Sequence, residues 1–122
     1  MATSTADDRD VILAVTRLFT EAFNARDLES AEGLISEDIE FRGPNGSALR
    51  GMDAAREVFE AAKRFDVIMV RTDPEEIRHD DAPDIRVLVP VRELVGEDEL
   101  FRTAEFVLRN HRIAEFEAWA TD

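Results

Sequence analysis

The spacing of apolar residues changes once along this chain, and that change limits its fold more than any single motif. In the first half they recur every three to four positions, the period of a helix face; from Phe65 onward they alternate, the period of a strand. Val11, Val15, Leu18 and Ala22, with Ile12, Phe19 and Phe23 beside them, form one broad stripe and predict a long amphipathic helix. Asn24-Ala25-Arg26-Asp27 interrupts it, and Asp27 is placed to cap a short second helix carrying Leu28, Ala31, Leu34 and Ile35. Ile39 and Phe41 alternate with Glu40 and Arg42 as a short strand, ended by the turn chemistry of Gly43-Pro44-Asn45-Gly46. A third helix after Gly51 turns Ala55, Val58, Phe59 and Ala62 inward. Residues 65–71, 85–94, 100–108 and 113–120 then read as four strands, with Pro74 and Pro90 marking sheet edges or bulges because proline cannot donate to a ladder. Helices followed by a strand meander make an α+β domain, not a parallel wound sheet.

The last two strands permit a finer reading. Leu100, Arg102, Ala104, Phe106 and Leu108 form one inward set; Ala114, Phe116, Ala118 and Ala120 form the other. Both sets reach one face only across an odd-numbered loop, most simply Arg109-Asn110-His111, with Asn110 or His111 in the left-handed conformation. The outer face then carries Phe101, Val107, Ile113 and Trp119 among glutamates. That is too apolar for a purely solvated surface, and it predicts a homodimer through the outer sheet face.

At 122 residues, 44% hydrophobic and 35% charged, the chain holds enough apolar surface for one core and too little length for two. One domain is expected over residues 7–122, with residues 1–6 frayed. No apolar run approaches a membrane span, and nothing in Met1–Asp10 resembles a secretion signal. The absence of cysteine rules out a disulfide framework and thiolate zinc sites and is compatible with the cytoplasm, the expected location. A net charge of -13 repels phosphate backbones and anionic lipid, so neither nucleic acid nor membrane is an expected partner. Lys63 is the only lysine among 15 basic residues, as in salt-adapted proteins or in those of GC-rich genomes.

Three segments carry a family likeness: Ala22-Phe23-Asn24-Ala25-Arg26-Asp27-Leu28 at the end of the long helix, Phe41-Arg42-Gly43-Pro44-Asn45-Gly46, and Arg50-Gly51-Met52-Asp53-Ala54-Ala55. In this order they resemble the SnoaL-like branch of the nuclear transport factor 2-like superfamily, over nearly the whole chain. The resemblance implies a cone, in which three N-terminal helices pack in a strongly curved, mostly antiparallel sheet around an apolar pocket, and members that pair through the outer sheet face. It implies no single activity, since this architecture hosts isomerases, epoxide hydrolases, polyketide cyclases and binding modules. The family's steroid isomerases use an aspartate base before the turn proline, a tyrosine on the long helix and a protonated aspartate on the penultimate strand. The matching positions here are Gly43, Phe19 and Ala104, which can neither take nor give a proton. The final-strand aspartate of limonene epoxide hydrolase is likewise missing, because the inward positions of that strand are Phe116, Ala118 and Ala120.

The expected pocket lining is therefore Phe19, Phe23, Phe41, Gly43, Phe59, Arg102, Ala104, Phe106, Phe116 and Ala118. Arg102 is its one charged member, either a clamp for a ligand carboxylate or carbonyl or a side chain snorkelling from the rim. No cofactor is expected, and His79 and His111 read as surface histidines rather than metal ligands. Glu97-Asp98-Glu99 reads as a solvated hairpin tip. The primary expectation is a domain that holds a small apolar ligand without the known catalytic sets. The alternatives are an enzyme pairing Arg102 with Asp38, Glu105 or Glu117, and a structural dimer whose pocket is filled by its own side chains. The charge supplies a first test. Self-repulsion at -13 is screened within about 10 Å at 0.1 M salt, so the melting temperature should climb between low and molar potassium chloride; a flat profile would favour the codon-bias origin.

Overall fold

The computed structural model describes residues 5–43, 47–72, 76–81 and 84–120. Its elements are α1 (Thr5–Ala25), α2 (Leu28–Glu32), β1 (Ile35–Arg42), β2 (Ala48–Arg50), α3 (Met52–Arg64), β3 (Val67–Arg71), β4 (Glu76–Asp81), β5 (Asp84–Val95), β6 (Asp98–Arg109) and β7 (Arg112–Ala120). The strands form one curved, unclosed sheet in the order β2-β1-β7-β6-β5-β3, with β4 also pairing β5. Every pairing is antiparallel except that of β1 with β7. This is the expected α+β cone, with the helices against the sheet. Of the frayed start expected for residues 1–6, residues 1–4 lie outside the described ones, as do Pro44-Asn45-Gly46 of the first turn and Pro74. No helix among the described residues is long and apolar enough to cross a membrane.

The buried stripe of α1 is rotated from the expected one. Ile12, Thr16, Phe19, Thr20 and Phe23 face the core, while Val11 and Leu18 stand exposed. Two threonines can share this stripe because each satisfies its hydroxyl within the helix, Thr16 donating to the Leu13 carbonyl at 3.0 Å and Thr20 to that of Thr16 at 2.9 Å. Asp27 caps α2 as expected, accepting from the backbone N–H of Ser30 at 3.2 Å and from its hydroxyl at 2.6 Å.

On β6 and β7 the inward sets meet as parity requires: Ala104 lies opposite Ala118, and Phe106 opposite Phe116. The odd residue, however, sits in the strand and not in the loop. The register shifts between Val107 and Leu108, so that Leu108 faces Ile113 and Ala114 becomes the extra residue of a bulge. The turn itself is the two residues Asn110-His111, both left-handed at φ 55° and 63°, as the tightest hairpins demand. Ile113, expected on the outer face, is thereby turned into the core at 0% exposure. Val107 keeps its outward register but is also buried, flanked across the ladder by Arg86 and Glu115, whose stems are long enough to cover it. Of the four residues expected outside, Phe101 and Trp119 stay exposed, at 62% and 36%.

Pro90 lies in the middle of β5, opposite Thr103 of β6. Its other side faces the gap between β3, whose pairing stops at Val91, and β4, whose pairing starts at Leu88. The missing N–H points where no strand waits for it, and the Pro90 carbonyl accepts the Thr72 N–H at 2.9 Å. The segment is an edge on that side over Val89 and Pro90 only. Beyond it, β4 pairs a run, Glu76-Ile77-Arg78-His79-Asp80-Asp81, that is too polar to show a strand period. The Asn110-His111 turn generates a test: left-handed φ costs a non-glycine residue about 1–2 kcal/mol, so His111→Gly should stabilise the domain by about 1 kcal/mol, seen as a higher urea midpoint at unchanged slope.

Candidate functional site

The residues expected to line an apolar pocket are brought together, but against one another. Phe19 packs on Phe59 and Phe106 with ring centroids 6.1 Å apart in edge-on contact, and on Phe116 at the same distance. Phe23 meets Phe59 at 5.6 Å, Phe41 meets Phe116 at 6.2 Å, and Phe106 meets Phe116 at 5.1 Å. Phe19, Phe23, Phe41, Phe59, Ala104 and Phe106 are buried in the main core, whereas Phe116, Ala118, Gly43 and Arg102 are half-buried around it. Phe19, Phe59, Phe106 and Phe116 thus belong to one cluster of rings in contact.

A cavity of about 540 Å³ opens between α1 and β3, lined among the described residues by Arg17, Thr20, Glu21, Asn24, Met69, Val70, Arg71 and Thr72. It shares no residue with the expected lining. Its shape depends on Asn24, whose amide donates to the Met69 carbonyl at 2.8 Å and accepts the Met69 N–H at 2.9 Å. One side chain thereby stands in for a neighbouring strand along the edge of β3. Below it Arg71, on the concave side of the sheet, extends its guanidinium to 5.9 Å from the centre of the Phe106 ring, within cation–π range. The hydroxyls of Thr20 and Thr72 donate to the Thr16 and Pro90 carbonyls, at 2.9 and 3.0 Å. Reasoning from sequence passed over Arg71, yet the alternation Val67, Met69, Arg71 puts it inward by the logic that singled out Arg102.

Arg102 points to the concave side as expected, one row across from Arg71: Val91 of β5 lies opposite both. Its Nε lies 3.3 Å from Glu93 Oε2, close enough for an ion pair although not aligned as a hydrogen bond. The carboxylate beside it is therefore Glu93, not Asp38, Glu105 or Glu117, and Glu105 is engaged by Arg86 at 3.2 Å. Asp98 and Glu99, expected in a hairpin tip, lie within β6, and the tip is Gly96-Glu97. His111 occupies the β6–β7 turn, and His79 lies on β4. Among the described residues no three His, Asp or Glu side chains gather as metal ligands would.

On the outer face lies a hollow of about 220 Å³ walled by Asp38, Glu40, Arg50, Arg109, Ala114 and Glu115. Its charges are matched strand by strand. Glu40 accepts from Arg42 Nε at 2.6 Å and from Arg50 Nε at 2.8 Å, Arg42 also reaches Glu115 at 2.9 Å, and Arg109 grips Asp84 through two hydrogen bonds of 2.8 and 3.0 Å. The hydrogen bond from Arg42, and after it that from Arg50, holds the Glu40 carboxyl below its ordinary range, with burial opposing them. Arg109 does the same for Asp84. A carboxylate kept ionised between two guanidiniums is a poor proton acceptor, so this ladder ties β2, β1 and β7 together rather than serving acid–base chemistry.

A family model described as SnoaL-like domain matches residues 15–81, just over half of the chain. Among solved structures, a candidate ketosteroid isomerase from Kribbella flavida superposes with a TM-score of 0.75 at 15% identity, over 93% of this chain and 79% of its own. A candidate polyketide cyclase from Xanthomonas campestris gives 0.68 at 16%, over 93% and 92%. An NTF2-like protein of unknown function from Cytophaga hutchinsonii gives 0.66 at 14%, over 90% and 89%. No curated protein sequence matches the chain.

The outer ladder yields a pH test. Because Glu40 is held below its ordinary value of 4.5 in the folded state, its contribution to stability is present above that value and is lost as the pH falls through the folded one. Glu40→Gln should therefore cost on the order of 1–3 kcal/mol at pH 7. In urea denaturation the gap to the wild type should shrink below pH 4.5.

Proposed function

The chain belongs to the SnoaL-like domain family, and on that premise we propose that it is a small-molecule-binding domain whose ligand lies in the cleft between α1 and β3. The observation that carries this reading is the cleft itself. Its volume of about 540 Å³ falls within the range of roughly 300–1,000 Å³ usual for ligand sites, and its wall mixes Met69 and Val70 with a few polar groups. The interior, by contrast, is crowded by rings in mutual contact. Catalysis in the manner of the steroid isomerases has no support, since Gly43, Phe19 and Ala104 offer neither base nor proton donor at the matching positions.

A second reading draws on the outer face. Phe101 and Trp119 are exposed, and Trp119 lies opposite Thr103, two residues along β6 from Phe101, so the two form one small apolar patch. A second copy laid over it would give the homodimer. Light scattering that returned a monomer near 13.8 kDa at micromolar concentration would sink that reading.

The binding site is tested with a fluorescent apolar probe and two tryptophan substitutions. Glu21→Trp, on the exposed wall of the cleft, should abolish uptake, and Ala118→Trp, at the edge of the ring cluster, should leave it intact. The reverse pattern would return the site to the interior. Turnover of a 3-oxo-steroid above background by the wild type would overturn the non-catalytic reading.

A further inference from the structure

We propose that the outward face of α1 is a docking surface for an amphipathic helix of another protein, apolar along one side and basic on its flanks. The surface lies on a different flank of α1 from the cleft at β3, so the proposal stands independently of the ligand proposed there.

α1 is apolar on two sides, and the core uses only one. Ile12, Phe19 and Phe23 are buried, whereas Val11, Ala14, Leu18 and Ala25 are exposed, Leu18 at 51%, with Val15 half-buried beside them. The exposed set recurs at steps of three, four and seven residues, the seam that one helix offers to another. At 1.5 Å per residue it runs roughly 21 Å along α1. Toward the end of the helix the seam borders a hollow of about 370 Å³ between α1 and α2, walled among the described residues by Leu18, Ala22, Ala25 and Leu34, with exposed Glu21 and Asp27 beside them. Such a hollow receives a large apolar side chain of a partner helix, and the alanines of the seam let its backbone approach.

The sign of the partner follows from the charges at the hollow. Ser30 donates to both carboxylate oxygens of Asp27, through its hydroxyl and its backbone N–H, and holds that carboxyl below its ordinary range, so it is charged at neutral pH. Glu29 and Glu32 on α2 are exposed as well. Arg26, next to Asp27, is engaged elsewhere: its Nη1 donates to the Phe23 carbonyl at 3.0 Å, and its guanidinium lies 5.7 Å from the centre of the Phe23 ring. A chain of net charge -13 steers basic partners toward such a surface and repels acidic ones. A second copy would offer the seam with the wrong sign.

The test titrates the full chain into labelled helical peptides at pH 7 and reads fluorescence anisotropy. One peptide carries leucines along one side and arginines on its flanks, a second has the same composition with the leucines scattered around the helix, and a third has glutamates in place of the arginines. The first should bind the wild type at least about tenfold more tightly than either of the others, and less tightly as potassium chloride is raised. Leu18→Gln, which leaves the charge untouched, should weaken that binding about tenfold while the melting curve stays in place. Phe101→Gln, on the outer sheet face, should leave it unaltered. Equal binding of the aligned and scattered basic peptides, or binding that Leu18→Gln does not change, would reduce the attraction to net charge and overturn the docking surface. Preference for the acidic peptide, or failure of all three to bind, would overturn it as well. Self-association of the wild type that Leu18→Gln abolishes would assign the seam to a second copy and overturn the basic partner.

Discussion

Phe19 is where the structure is joined. Its ring, buried on α1, meets Phe59 of α3, Phe106 of β6 and Phe116 of β7, so both large helices and the last two strands are registered on one side chain. Edge-on contacts of this kind add directionality to the burial of large apolar area. The orientation of α1 against the sheet follows, and with it the distance from the helix to β3. The same ring cluster that fixes α1 against the sheet therefore sets one wall of the cleft beside β3.

How much of this could be read from the sequence depended on how local the cause was. The change of period located both large helices and the strands β3, β5, β6 and β7, and Asp27 identified its own cap, because those signals lie within a few residues. Parity demanded an odd residue between the inward faces of β6 and β7, but alternation cannot say whether it sits in the turn or in a bulge; its place at Ala114 decided the fate of Ile113. β4 was invisible because one isoleucine among charges carries no period. The stripe of α1 was misplaced since Thr16 and Thr20 count as polar by type, although each hydroxyl is satisfied inside the helix.

The site was the least legible part. The expected lining residues do converge, and six of them are buried in the core, but convergence of side chains does not distinguish a wall from a filling. The cleft is made by residues some 45 positions apart, through the contact of Asn24 with Met69. Neither residue announces that meeting. Membership of a family tells which fold to expect and leaves the chemistry to the side chains of this chain.

The Asn24 amide has a further consequence. β3 ends the sheet, and an uncovered edge strand presents N–H and C=O groups on which another chain can add itself as the next strand. By taking both groups of Met69, Asn24 makes that edge unfit as a template in the middle of β3. Yet it does so with a side chain rather than a strand, holding α1 off by the length of an amide, and the gap so left is the cleft. One side chain therefore does two things: it shields the edge of β3 and borders the hollow beside it.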